Sequence, residues 1–143
     1  MSVPSPTVAP LAGLNVLLVE DDPEVREATQ ALLEDEGMRV TALDGAEPAL
    51  ALLAATGRGC FDLLVTDVIL GGPLSGFDVA AAALARHARL PIVLATGYAG
   101  PAGMVPASLP ARIPLLLKPF RRRELLAAIA AARCAVANPA EAA

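Results

Sequence analysis

The sequence predicts a doubly wound α/β domain: a five-stranded parallel sheet with helices on both faces. Three observations lead there. Short, nearly continuous apolar runs recur along the chain, Ala-rich helical stretches separate them, and polar residues fall where the apolar runs end. Strands buried on both faces read as unbroken apolar segments, and right-handed crossovers place the intervening helices on each side of the sheet.

Residues 1–12 carry Pro4, Pro6 and Pro10 among small residues and cannot bury enough surface to offset chain entropy, so they read as a disordered lead-in. The domain is expected over 13–136, with a short tail at 137–143. Leu14–Val19 is the first strand. Pro23–Glu36 is the first helix, with Val25, Ala28, Leu32 and Leu33 on one face, Asp22 as N-cap, Pro23 at the first helical position and Gly37 as the stop.

Met38–Leu43 is the second strand. Asp44-Gly-Ala-Glu47 has capping-box spacing ahead of a helix over Ala46–Thr56. Phe61–Thr66 forms a third strand ending at Asp67, and Ser75-Gly-Phe-Asp78 opens a helix running to about Ala88. Pro91–Thr96 and Ile113–Leu117 are the last two strands, and Arg122–Ala135 is the closing helix. Between those strands, Gly100–Pro110 holds three prolines and two glycines, so the fourth of five expected helices is weak or disordered.

Composition narrows the function. Hydrophobic residues make up 55% of the 143, but 31 are Ala, which points to helices more than to a thick core. Aromatics at 3% and a net charge of −4 supply neither stacking platforms nor the positive field that direct nucleic-acid binding needs. No apolar run approaches the roughly 18 residues of a membrane span, and Met1–Ala12 lacks the features of a signal peptide, so a cytoplasmic location is expected. Cys60 and Cys134 lack metal-ligand spacing and read as reduced, structural thiols.

In a doubly wound sheet, ligands bind outside the carboxyl ends of the strands. Glu20, Asp21 and Asp22 follow the first strand, Asp67 ends the third, Thr96 the fourth and Lys118 the fifth. Taken alone, the acidic triplet is as well explained by a helix start, and Asp22 is its cap. Together with Asp67 and Lys118 it forms a site. Carboxylates held this close repel each other unless a cation joins them, and Glu20, Asp21 and Asp67 suit Mg²⁺, a hard ion that takes oxygen ligands. Asp67 is then placed to attack a phosphoryl group whose charge Mg²⁺ and Lys118 share.

The segments Val19-Glu20-Asp21-Asp22, Thr66-Asp67, Ala95-Thr96-Gly97 and Lys118-Pro119-Phe120 resemble, in order and spacing, the response-regulator receiver domains of two-component systems over roughly residues 14–135. The resemblance implies a flavodoxin-like strand order 2-1-3-4-5. It implies phosphorylation of Asp67 by a histidine kinase or histidine phosphotransfer protein, with signalling by protein contact rather than turnover of a free substrate. It also implies direct Mg²⁺ ligation by Asp21, ligation by Glu20 mainly through water, and a backbone ligand from Ile69. Thr96 and Lys118 would grip phosphoryl oxygens, and Lys118–Pro119 would be cis. Leu94-Ala-Thr-Gly-Tyr98 is similar to the "FAT GUY" receivers, commonly single-domain, with Leu94 in place of Phe.

The departures carry expectations of their own. Many receivers have an aromatic residue three positions before the strand-five Lys; here it is Leu115, so the usual Thr-to-aromatic relay cannot run in its standard form, and Tyr98 with segment 100–110 is the candidate substitute. The residue two past Asp67 is the apolar Ile69 and the residue two past Thr96 is Tyr98; neither orients a hydrolytic water, so slow dephosphorylation, with a phospho-Asp lifetime of minutes or longer, is expected. The same Ile69 stands where a haloacid-dehalogenase-type phosphatase needs a second Asp, which weakens that alternative. A pseudo-receiver scaffold would have lost the acids or the Lys. A receiver cut from a hybrid histidine kinase is the other alternative; the start at Met1 and the polar end 138–143 favour an independent protein. His87 reads as a surface residue at a helix end, and Arg121–Arg123 as solvated or facing an acidic partner. The kinase, the downstream target and whether the chain forms a homodimer are left open.

Overall fold

A computed structural model describes residues 10–57, 59–97 and 105–137. Five strands, β1 (Asn15–Val19), β2 (Arg39–Leu43), β3 (Leu63–Asp67), β4 (Ile92–Thr96) and β5 (Leu115–Leu117), form one parallel sheet in the order β2-β1-β3-β4-β5. The helices are α1 (Pro23–Asp35), α2 (Ala46–Ala55), α3 (Gly76–Arg86) and α4 (Arg122–Ala137).

Alternation along the strands divides the core into two layers. Val16, Leu18, Leu63, Val65, Val93 and Leu116 face α1 and α4 and meet Leu33, Leu125, Ile129 and Ala132. Leu17, Val19, Leu64, Ile92 and Leu94 face α2 and α3, whose contribution is largely alanine: Ala46, Ala49, Ala80 and Ala83 beside Leu53 and Val79. Small residues let those helices sit close to the sheet, which is why so Ala-rich a chain still forms a closed core.

Helix ends follow local chemistry, with one correction. Asp22 caps α1, accepting from the Glu24 and Val25 amides, and Gly37 ends it at φ +89°. The capping box expected at Asp44–Glu47 does not form; α2 has Gly45 as N-cap with no side-chain capping bond. The reciprocal box lies at Ser75 and Asp78, where the serine hydroxyl accepts from the Phe77 amide and the Asp78 carboxylate accepts from the Ser75 amide. The inner face of α1 also turns further than the periodicity suggests, burying Thr29 with Leu33 and leaving Ala28 exposed.

Between β4 and β5, residues 105–114 form turns and contain no helix; Leu109 and Ile113 from those turns enter the α2/α3 layer. Tyr98 and the rest of 98–104 lie outside the described residues, as do 1–9 of the expected lead-in and 138–143 of the tail. On β5, Leu115 and Leu117 point away from buried Leu116 and are 39% and 53% exposed. Cys60 and Cys134 are free and exposed rather than part of the core. Among the described residues no helix is long and apolar enough to cross a membrane.

Candidate functional site

The carboxyl edge of the sheet gathers the polar residues because each apolar strand stops there. Glu20 directly follows β1, and its backbone is held on both sides: its amide donates to the Leu43 carbonyl, and its own carbonyl accepts from Arg26 Nη1 at 3.0 Å. Asp21 follows and is exposed, whereas Asp22 spends its carboxylate on the α1 amides and stays out of the site. Asp67 ends β3 with only 8% of its surface exposed, and Thr96 ends β4 fully buried. The Lys118 amide donates to the Thr96 carbonyl at 2.8 Å, which fixes the start of the β5–α4 turn against β4. The Lys118–Pro119 peptide is cis.

Glu20, Asp21 and Asp67 each offer a carboxylate oxygen, and the three oxygens lie within 4.8 Å of one another. Lys118 Nζ stands 2.6 Å from Glu20 Oε1 and 3.3 Å from Asp67 Oδ2. Two of the acids thus flank the amine and the third, exposed Asp21, lies beside them, which makes the pocket net negative. Burial pushes the Asp67 carboxyl up from its ordinary 3.8 to about 6, the Glu20 charge adds to the effect, and Lys118 only partly opposes it. For Lys118, burial acts to lower the ammonium pKa, but the Glu20 hydrogen bond and the Asp67 and Glu20 charges outweigh it and hold it above its usual range. The donor set is all oxygen, of matching count and charge for Mg²⁺ or a similar hard divalent ion, and such an ion would offset the burial and the repulsion that together raise Asp67.

Of the residues singled out from sequence, Glu20, Asp21, Asp67 and Lys118 share this pocket, and Thr96 is tied to it through Lys118. Ile69 lies two residues past Asp67 with its side chain 56% exposed. Three contributors escape the sequence reading: Arg26, Gly71 and Gly76. A Cβ at Gly76 would sit 2.0 Å from the Asp67 carbonyl oxygen, so only glycine lets α3 start against the end of β3. At Gly71 a Cβ would lie 3.2 Å from Asp21 Oδ2. The glycines are visible in the sequence, but what they approach is not.

Beside the acids, a cleft of about 440 Å³ opens between α1 and the β5–α4 turn, with apolar Val25, Ala28 and Leu32 on one side and Lys118, Pro119 and Phe120 on the other. Arg122, expected to be solvated or to meet a partner, instead reaches across to the end of α1 and binds Asp35 at 2.6 Å and Glu36 at 2.9 Å.

Residues 16–130 match the response regulator receiver domain family. The response regulator protein FleR of Pseudomonas aeruginosa is 37% identical over 115 residues, which cover 80% of this chain and 24% of that protein. The chain therefore spans about a quarter of the length of this relative. Among solved structures, a response regulator receiver protein from Sinorhizobium medicae superposes with a TM-score of 0.76 at 28% identity, covering 88% of this chain and 98% of that one. The receiver domain of a sensor histidine kinase from Pseudomonas aeruginosa, with a magnesium ion coordinated in its active-site cleft, superposes with a TM-score of 0.65 at 28% identity, covering 82% and 95%.

Proposed function

The chain belongs to the response regulator receiver family of two-component signalling, and from that premise we propose that it is a phospho-switch whose acceptor is Asp67. The observation that carries the reading is the convergence of Glu20, Asp21 and Asp67, with carboxylate oxygens within 4.8 Å of one another, while the Lys118 ammonium stands 2.6 Å from Glu20 and 3.3 Å from Asp67.

In this reading the donor is a phosphohistidine of a histidine kinase or phosphotransfer protein. An Asp67 oxygen attacks phosphorus, the P–N bond breaks, the electron pair leaves with the imidazole nitrogen, and an acyl phosphate remains on Asp67. Bound Mg²⁺ would supply charge neutralisation for the three equatorial oxygens. Its ligands would be Glu20, Asp21, Asp67 and the Ile69 carbonyl. Lys118 neutralises one phosphoryl oxygen, and the Thr96 hydroxyl donates to another.

The cleft between α1 and Phe120 suits docking of the donor, because it places apolar contact surface directly beside Lys118. Signal output by protein contact and a cytoplasmic location complete the proposal. Ile69, apolar and on the rim, orients no water toward the acyl phosphate, which favours slow hydrolysis.

The test is incubation with Mg²⁺ and acetyl phosphate, followed by intact mass. Wild type is expected to gain one phosphoryl group and to keep it for minutes after the donor is removed, while Asp67→Asn gains none. Equal labelling of both proteins would refute Asp67 as the acceptor.

A further inference from the structure

We propose that Gly71 sets the cation selectivity of the acidic pocket by letting the β3–α3 loop close on the Asp21 carboxylate; the inference rests on the reading of that pocket as a divalent-metal site. Gly71 adopts φ +77°, the left-handed region, four residues past Asp67. A Cβ built there would meet Asp21 Oδ2 at 3.2 Å and nothing else within 4 Å. At the adjacent Gly72 a Cβ would enter open space. Of the two glycines, only the first touches the site.

Asp21 is otherwise exposed, and a side chain on Gly71 would press on its Oδ2. A methyl group there forces the oxygen to shift by a few tenths of an ångström. Mg²⁺ demands near-ideal octahedral geometry at about 2.0–2.1 Å, whereas Ca²⁺ accepts irregular shells at about 2.3–2.6 Å. The shift therefore penalises the small ion and is tolerated by the large one. A general loss of stability would weaken both together.

The experiment is calorimetric titration of MgCl₂ and of CaCl₂ into wild type, Gly71→Ala, Gly71→Asn and Gly59→Ala. Asn accepts left-handed backbone angles, so Gly71→Asn keeps the comparison available should Gly71→Ala fold poorly. Gly59 has φ +88° with nothing within 4 Å, so Gly59→Ala carries the backbone strain without the contact. Both Gly71 variants are expected to lose about tenfold in Mg²⁺ affinity and less than about threefold in Ca²⁺ affinity, given the tighter geometry Mg²⁺ requires. Gly59→Ala is expected to melt at a lower temperature with both affinities intact. An unchanged Mg²⁺-to-Ca²⁺ ratio in the Gly71 variants overturns the role of Gly71 while leaving the metal site standing. Absence of Mg²⁺ binding by wild type overturns the metal reading itself, and this inference with it.

Discussion

Lys118 and Arg122 stand four residues apart on the same turn and helix start, and each meets two carboxylates at similar distances. Lys118 lies 2.6 Å from Glu20 and 3.3 Å from Asp67; Arg122 lies 2.6 Å from Asp35 and 2.9 Å from Glu36. Distance alone makes them look equivalent, and the surroundings separate them. Side-chain exposure is 18%, 5% and 10% for Lys118, Glu20 and Asp67, against 44%, 64% and 29% for Arg122, Asp35 and Glu36. In the first cluster burial limits how far water screens the charges, and the loss of hydration at Asp67, with the Glu20 charge and a smaller contribution from Asp21, raises its pKa. In the second, solvent absorbs most of the field. One cluster holds its charges at a cost and can use them; the other mainly ties α4 to α1.

The largest expected effect tests which ammonium or guanidinium belongs to the chemistry. Lys118→Ala removes the cation placed against the phosphoryl oxygens, and the rate of labelling by acetyl phosphate is expected to fall about 100-fold or more. Arg122→Ala, four residues on, is expected to change that rate by less than about twofold, since exposed pairs contribute little. Mass spectra taken over a time course measure both. Comparable losses in the two variants would erase the distinction drawn between the clusters.

Next in size is a stability effect of unusual sign. The folded-state pKa of Asp67, about 6, lies above its ordinary 3.8, so between these values the native state keeps a proton that the unfolded chain releases. Stability from this group is therefore greatest below about pH 4, declines as pH rises toward 6, and stays reduced above that. The gap corresponds to roughly 3 kcal/mol at most, and solvent near the rim lessens it. Asp67→Asn is expected to stabilise the protein by about 1–3 kcal/mol at pH 7.5 in EDTA, with a smaller gain at pH 5. Urea denaturation at the two pH values decides it; an Asp67→Asn protein less stable than wild type at pH 7.5 would show that Lys118 fully offsets the burial of Asp67. Mg²⁺ should narrow the difference by binding native wild type.

How much of this could be read from residues alone follows the same division. The sheet was legible because its inner strands are buried on both faces and read as apolar runs, and the site was legible because in a parallel sheet strand ends converge by topology. Glu20, Asp67 and Lys118 needed only their place at the ends of apolar segments. Helix entry was less legible: Asp44 and Ser75 present the same cap spacing, and only the path of the preceding loop decides that Ser75 closes a box and Asp44 does not. Gly76 and Gly71 matter for how near they come to Asp67 and Asp21, a distance that no local pattern encodes. The Arg122 contact joins residues 86 and 87 positions apart, and helix-end logic alone reads a cation there as unfavourable.

That Arg122 contact supplies the smallest expected effect and the sharpest control on the comparison. If its geometry does no more than staple two helix ends, Arg122→Ala should lower the melting temperature slightly in dilute buffer, and the difference should shrink at about 1 M NaCl, because ions reach and screen solvent-exposed pairs. The Lys118 cluster, sheltered from ions, should respond far less to the same salt in EDTA. Thermal melts of Arg122→Ala and Lys118→Ala at low and high salt therefore separate the clusters by screening alone, without reference to phosphorylation. A salt-independent loss in Arg122→Ala would mean that its alkyl stem packs between α1 and α4 and that the contact holds the helices through apolar surface rather than charge.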